Sequence, residues 1–232
     1  MSVITVSRQL ASHGCEIAAN VANMLGFRLI DREIIYRAAE EAGVPKIALE
    51  EIAFEGRRNL AERILRAVNA MPAVPSTAEA WKREAARPVS RPYGGIFSPA
   101  VPSFSVTLKD YVDMVGMVIR DLAREGNVVI AGRGSQVLLG DAPQALHVQV
   151  VAPFDHRVLI LAKREGIEER EAAKRLKASD MARRDYLRQY HQVNWLDPTL
   201  YDLVINTHRI PAHEAAAMIV HTYQRLVTED HG

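Results

Sequence analysis

Five short apolar runs punctuate the chain: Val3 to Ser7, Phe27 to Ile30, Asn127 to Ala131, Leu146 to Ala152 and Asp202 to Asn206. Each is rich in Val and Ile and shows little alternation, which is the pattern of strands buried on both faces. Between them, apolar positions recur at helical spacing. They predict helices over Gly14–Leu25, Arg32–Ala42, Ala48–Asn69, Leu108–Arg124, Phe154–Glu165, Glu168–Gln192 and Ala212–Val227. Strands alternating with helices predict a parallel α/β sheet with right-handed crossovers and helices on both faces.

Ala70 to Ser105 breaks this pattern. Pro72, Pro75, Pro88, Pro92, Pro99 and Pro102 fall there, with Gly94 and Gly95. Repeated proline removes amide donors and disfavours helix at the preceding residue. So long a loop is functional, partner-binding or disordered. Trp81, Tyr93 and Phe97 within it either form a docking surface or pack back on the domain. The organisation expected is one domain over residues 1–232, interrupted by a Pro-rich insertion at about 70–105.

Bulk properties narrow the class. A chain of 232 residues fits one α/β domain. With 29 basic against 28 acidic residues the formal charge is +1, so any positive patch is local. Neither bulk nucleic-acid attraction nor membrane attraction is expected. The single Cys15 excludes an intrachain disulfide and fits a reducing cytoplasm. No apolar run approaches the roughly 20 residues that a membrane helix needs. The expected location is cytoplasmic.

Two stretches carry candidate chemistry. The first is the strand Val3–Ser7 followed by Arg8-Gln9-Leu10-Ala11-Ser12-His13-Gly14-Cys15-Glu16. An apolar strand that breaks into a small-residue loop and enters a helix presents backbone N–H groups and a positive helix end to phosphate. The standard P-loop reads G-x-x-x-x-G-K-[ST]. With Gly14 on the second glycine, Gln9 stands at the first, Cys15 at the lysine and Glu16 at the hydroxyl. Ala11, Ser12 and Gly14 still allow close backbone approach, and Arg8 or a later arginine could supply the missing charge. Glu16 either binds a phosphate-linked Mg²⁺ or repels the nucleotide. The bland alternative is a tight turn with no ligand. The second stretch is the charged helix from Glu168, with Asp180, Arg183, Arg184 and Arg188.

Further segments carry a resemblance. Ile4-Thr5-Val6-Ser7-Arg8-Gln9-Leu10-Ala11-Ser12-His13-Gly14-Cys15-Glu16-Ile17-Ala18 follows the opening I-T-I-S-R-Q-x-G-S-G-G-x-E-I-A of the cytidylate kinase-like family. Phe27 to Ala39, Ala131-Gly132-Arg133-Gly134-Ser135, Val148 to Arg157, Asp180 to Arg184 and Tyr201 to Thr207 are similar to its later segments. The resemblance covers residues 1–66 and 107–232. It implies a doubly wound P-loop NTPase-type fold with five parallel strands in the order 2-3-1-4-5 and a helical lid at about 165–192. It implies ATP and Mg²⁺, and a small-molecule nucleotide partner. Lack of the lysine and hydroxyl is a trait of this branch. Ala11 and His13 depart from it, standing where the branch tends to have Gly; both stiffen the loop, and His13 adds bulk at its mouth.

Roles follow from the resemblance. Arg8, Ser12, His13, Gly14, Cys15 and Glu16 would hold the donor nucleotide, with Glu16 as metal candidate. Asp31, Arg37 and Arg133 would hold the acceptor. Arg183, Arg184, Arg188 and Asp180 would act in catalysis, and Arg157 and Arg164 could join them. Each has a plainer reading. Arg37 and Arg133 could form surface ion pairs, Asp31 could only cap its helix, and the charged helix could be solvated and laced with i,i+4 pairs such as Glu171 with Arg175. The eight histidines show no metal-ligand spacing. The function expected is ATP-dependent phosphorylation of a nucleoside monophosphate such as CMP, and a homodimer is compatible with it. The alternative is an inactive pseudokinase that senses nucleotide or binds partners.

Overall fold

The computed structural model describes residues 2–46, 48–49 and 107–229. All of these but Thr107 belong to one compact unit. The Pro-rich segment, its three aromatic residues and nearly all of the helix expected from Ala48 lie outside the described residues.

Five strands form one parallel sheet: β1 (Val3–Arg8), β2 (Arg28–Ile30), β3 (Val128–Ala131), β4 (Ala145–Val151) and β5 (Leu203–Asn206). Their order is β2-β3-β1-β4-β5, the one the family resemblance implies. β1 therefore lies in the centre, between β3 and β4, and its carboxyl end opens beside both of theirs. Among the described residues no helix is long and apolar enough to cross a membrane.

Alternation along the strands decides which helices cover which face. Ile4, Val6, Leu146, Val148, Val150 and Ile205 pack with Ile17 and Val21 of α1 (Gly14–Leu25) and Ile219 of α7 (Ala212–Glu229). On the other side, Val3, Ile30, Val128 and Ile130 pack with Ile35 of α2 (Arg32–Glu41) and Val115 and Ile119 of α3 (Leu108–Arg124). Truncating a fully buried isoleucine such as Ile4 to Ala would cost about 2–5 kcal/mol.

β1 and β4 are buried on both faces, as their sequences predict, although not by apolar residues alone. Their second face carries Thr5, Ser7, His147 and Gln149, all buried. These groups are satisfied internally. Thr5 Oγ1 lies 2.8 Å from His147 Nδ1, Gln149 Nε2 donates to Trp195 O at 2.7 Å, and the Tyr201 hydroxyl donates to Trp195 O at 2.7 Å. A buried polar group is tolerated only when paired in this way. Burial holds the His147 imidazole below its ordinary value of 6.5 and pushes the Tyr201 phenol up. The segment 193–201 that supplies Trp195 and Tyr201 thus roofs a polar strip beside the sheet's carboxyl edge.

The remaining elements follow β3 and β4. A single-turn helix α4 (Ser135–Leu138), too short to show a periodicity, follows Gly134. Then come α5 (Phe154–Glu165), the 23-residue α6 (Glu169–His191) and a 3₁₀ turn at Pro198–Leu200. Leu161 of α5 and Ala172 and Leu176 of α6 form a small core with Ala11. Tyr186 and Tyr190, further along α6, pack against the α2–α3 core. The second half of the expected lid helix is therefore seated on the domain.

Candidate functional site

A cleft of about 1140 Å³ opens at the carboxyl edge of the sheet. This is where open α/β sheets bind ligands. The loops after β1 and β3, the start of α2, the end of α5 and one side of α6 surround it. Six basic residues line it (Arg8, Arg32, Arg133, Lys163, Arg164 and Arg183) against three carboxylates, Glu16, Asp31 and Glu33. In a chain of formal charge +1, the cationic excess is concentrated here, where a cleft focuses the field toward anions.

The loop after β1 is braced from below. Gln9 N–H donates to Val150 O at 3.0 Å, and Gln9 Oε1 accepts from Ala152 N at 2.9 Å. Ala11 and His13 both adopt left-handed backbone, each with φ 60°. That explains why glycine suits these positions, since a Cβ makes this region costly. The Ser12 hydroxyl points inward, 2.8 Å from Gln9 O and 3.2 Å from Val150 O. Ser12 is fully buried, so its hydroxyl holds the loop in shape while the residue still forms part of the cleft lining. Ser12 O in turn accepts from Thr207 Oγ1 at 3.1 Å. Loop and β5 are thereby joined.

Gly14 opens α1, and its first-turn N–H groups face the cleft end of the helix. Cys15 and Glu16 are exposed. Glu16 Oε2 lies 2.9 Å from His13 Nδ1, an exposed contact. Asp31 caps α2, accepting from Glu33 N at 2.9 Å and Ile34 N at 3.0 Å through Oδ1. It also lines the cleft, so capping does not take it away from the site.

Arg133 projects from the loop after β3, where Gly132, Arg133 and Gly134 have φ of 85°, 59° and 70°. Its guanidinium lies 4.9 Å from the Tyr36 ring centroid and 5.9 Å from that of Tyr186. Two tyrosines from separate helices thus hold a cation at the cleft wall. His191, at the end of α6, packs on Gly134, and burial lowers its imidazole below the ordinary 6.5.

Four candidates fall elsewhere. Arg37 is exposed and pairs with Glu33 at 3.3 Å; its neighbour Tyr36 turns inward instead. On α6, each residue advances about 100° around the axis. Arg183 and, one turn later, Leu187 line the cleft, whereas Arg184 and Arg188 are exposed on another side. Asp180 pairs with Arg157 through two bonds of 3.1 and 2.8 Å. Arg157 is only 3% exposed and also bonds Ala152 O and Leu10 O. The pair clamps α5, α6 and the first loop together.

Sequence reasoning passed over Lys163, Gln136, Tyr186 and Trp195, which all line the cleft. Tyr186 had a usable signal, since it stands three residues after Arg183 on the same helix. Trp195 had none, because its place depends on the roofing segment.

A sequence profile of the cytidylate kinase-like family matches residues 3–209. The chain is 32% identical over 111 residues to the cytidylate kinase of Methanopyrus kandleri, covering 43% of this chain and 56% of that protein. It is 31% identical over 107 residues to the uronate isomerase of Corynebacterium glutamicum, covering 46% of this chain and 20% of that enzyme. The chain thus spans little more than half, or less, of these curated relatives. A crystal structure of an uncharacterized protein from Eubacterium ventriosum superposes with a TM-score of 0.64 at 18% identity, over 97% of this chain and 98% of that one. That likeness speaks to the fold. With the family profile spanning most of the chain and the parallel sheet in the expected order, the fold is of the α/β P-loop class, and the chain belongs to the cytidylate kinase-like family.

Proposed function

We propose that the protein transfers the terminal phosphoryl group of ATP to a nucleoside monophosphate, with CMP the first acceptor to test. The family and fold indicate a nucleotide kinase-like protein. One observation carries the finer reading: a cation-rich cleft between the loops after β1 and β3, with Arg133 held at its wall by Tyr36 and Tyr186. Two anionic groups can then be held side by side. An acceptor phosphate oxygen attacks the γ-phosphorus, the bond from that phosphorus to the β,γ-bridging oxygen breaks, and ADP departs with the electron pair. Little covalent chemistry is required of the protein, so positioning and charge neutralisation do the catalysis.

In this reading the α1 end cradles the donor phosphates, Arg133 holds the acceptor phosphate and Arg183 neutralises the group in transit. Asp31 orients an acceptor hydroxyl. Among the described residues no three His, Cys, Asp or Glu gather as a metal site. Magnesium arriving on a polyphosphate needs only one or two protein carboxylates. Glu16 and Asp31 fit that need and would supply its protein contacts, and the ion itself would offset phosphate charge. The protein would work as a cytoplasmic enzyme on small nucleotides.

The test is a coupled ADP-release assay across nucleoside monophosphates with Mg²⁺. Turnover with a pyrimidine monophosphate is the expected result, and folded protein inert to every acceptor would overturn the reading. Cys15 and Glu16 at the lysine and hydroxyl positions favour a second reading, a nucleotide-binding protein without chemistry. Calorimetry separates the two: ATP bound but not turned over supports the second.

A further inference from the structure

We propose that Arg8 is the donor-site cation, reaching the phosphates from the end of β1 in place of a lysine at the start of α1. Its route through the structure carries the argument. Arg8 is the last residue of the central strand, paired in register with Val150 of β4. Its stem passes directly beneath Gly14: a methyl group there would stand 2.3 Å from Arg8 Cβ. Its head then reaches the other loop, for a methyl group on Gly132 would stand 2.1 Å from Arg8 Nη1. One side chain therefore runs from the floor of the first loop to the foot of the second, beneath the place where a donor and an acceptor phosphate would meet.

The head also has hydrogen-bonding capacity that the described residues do not use. Arg8 Nε is buried and has no hydrogen-bond partner among the described residues. Arg28, Arg124, Arg157 and Arg175 each have a carboxylate within salt-bridge reach, but among the described residues no such pair involves Arg8. A cleft-lining guanidinium without a counter-charge is a fork suited to phosphate oxygens. The other candidates are less well placed: Arg184 and Arg188 face away, Arg164 pairs with Glu165 at 3.0 Å, and Arg183 donates to Ser179 Oγ at 3.1 Å. The inference deepens the kinase reading, yet it concerns phosphate and can be tested without nucleotide.

The experiment measures binding of inorganic tripolyphosphate and of ATP with Mg²⁺, and turnover where there is any, for wild type, Arg8→Met, Arg8→Lys and Gly132→Ala. Arg8→Met is expected to weaken tripolyphosphate binding about tenfold or more and turnover about 100-fold. Arg8→Lys should fall between, keeping charge without the fork. Gly132→Ala should mimic Arg8→Met, because it displaces the head while leaving the charge. Arg124→Ala, far from the cleft, controls for net charge. Tripolyphosphate affinity within about twofold of wild type in folded Arg8→Met overturns the proposal. If Arg8→Met does not fold, unchanged affinity in Gly132→Ala overturns it instead. Loss of ATP binding confined to the Arg8 and Gly132 variants supports both readings. Arg8-dependent tripolyphosphate binding without ATP binding sustains Arg8 and sinks the nucleotide reading. Nucleotide binding indifferent to Arg8 does the reverse, and a wild type that binds neither anion overturns both.

Discussion

The loops after β1 and β3 meet the same demand with different residues. Both need left-handed backbone beside the cleft. The first loop places Ala11 and His13 there, whereas the second uses Gly132 and Gly134 around Arg133. Gly14, the glycine of the first loop, has no left-handed φ; a side chain there would collide with Arg8. In these two loops glycine stands where a neighbouring side chain needs the space, Arg8 at Gly14 and Gly132 and His191 at Gly134, and gives way to Ala11 and His13 where the dihedral angle alone calls for it. A strained dihedral costs about 1–2 kcal/mol in an L-residue and can be offset elsewhere. Overlap with the stem of a neighbouring side chain cannot.

The largest expected effect breaks the external support of the first loop. Asp180→Ala leaves Arg157, 3% exposed, as an unpaired buried cation, and should cost about 3 kcal/mol. Arg157→Met removes the charge along with its partner's need and should cost less. Denaturant titration of both decides this, and equal small losses would show that Leu10 is not held through Arg157.

Next come the two glycines. Gly14→Ala meets Arg8 Cβ, which cannot swing aside, and should cost about 2–3 kcal/mol. Gly132→Ala meets only the far end of the same side chain, so its stability loss should be about 1–2 kcal/mol, chiefly from its φ of 85°. Thermal melts compare them. A more damaging Gly132→Ala would reverse the distinction between space and dihedral.

Smaller again, and opposite in sign, is His13→Gly. It relieves a left-handed residue and should stabilise by about 0.5–1 kcal/mol after the added chain entropy is subtracted. No gain in chemical denaturation would mean that the His13–Glu16 contact offsets the strain.

The smallest effect concerns pH and the second loop, on which His191 packs. Burial depresses this imidazole below 6.5, so folding favours its neutral form. Its contribution is present above the unfolded value of about 6.5 and is lost as pH falls through the folded value. Melting temperature should decline from pH 7.5 toward 5, and His191→Gln should flatten part of that slope. His147, depressed for the same reason, should keep the rest. An unaltered slope would detach His191 from the second loop's stability.

Much of this architecture was legible in the chain. The ends of α1, α3 and α5 fall where periodicity predicts, because apolar spacing and boundary residues are local signals. Asp31 ahead of Arg32–Glu41 is one such signal, a cap read directly from its position. The family resemblance pointed to both loops, the first through its opening and the second through Gly132-Arg133-Gly134. Arg183 lines the cleft while Arg184 and Arg188 do not, because a resemblance along a helix does not tell which side meets the domain. That depended on Tyr186 and Tyr190 seating α6 against the core.

By itself, then, the sequence determined the strand and helix pattern, the family and the cation-rich character of the segments that converge. Tertiary structure alone decided which cations face the cleft, that Ser12 turns inward, that Asp180 belongs to Arg157, and that Arg8 passes beneath Gly14 to reach Gly132. The physical reason is range. Periodicity and capping act over one or two turns of chain. The course of Arg8 depends on β3 lying beside β1, an adjacency of residues more than a hundred positions apart that only the packed sheet creates.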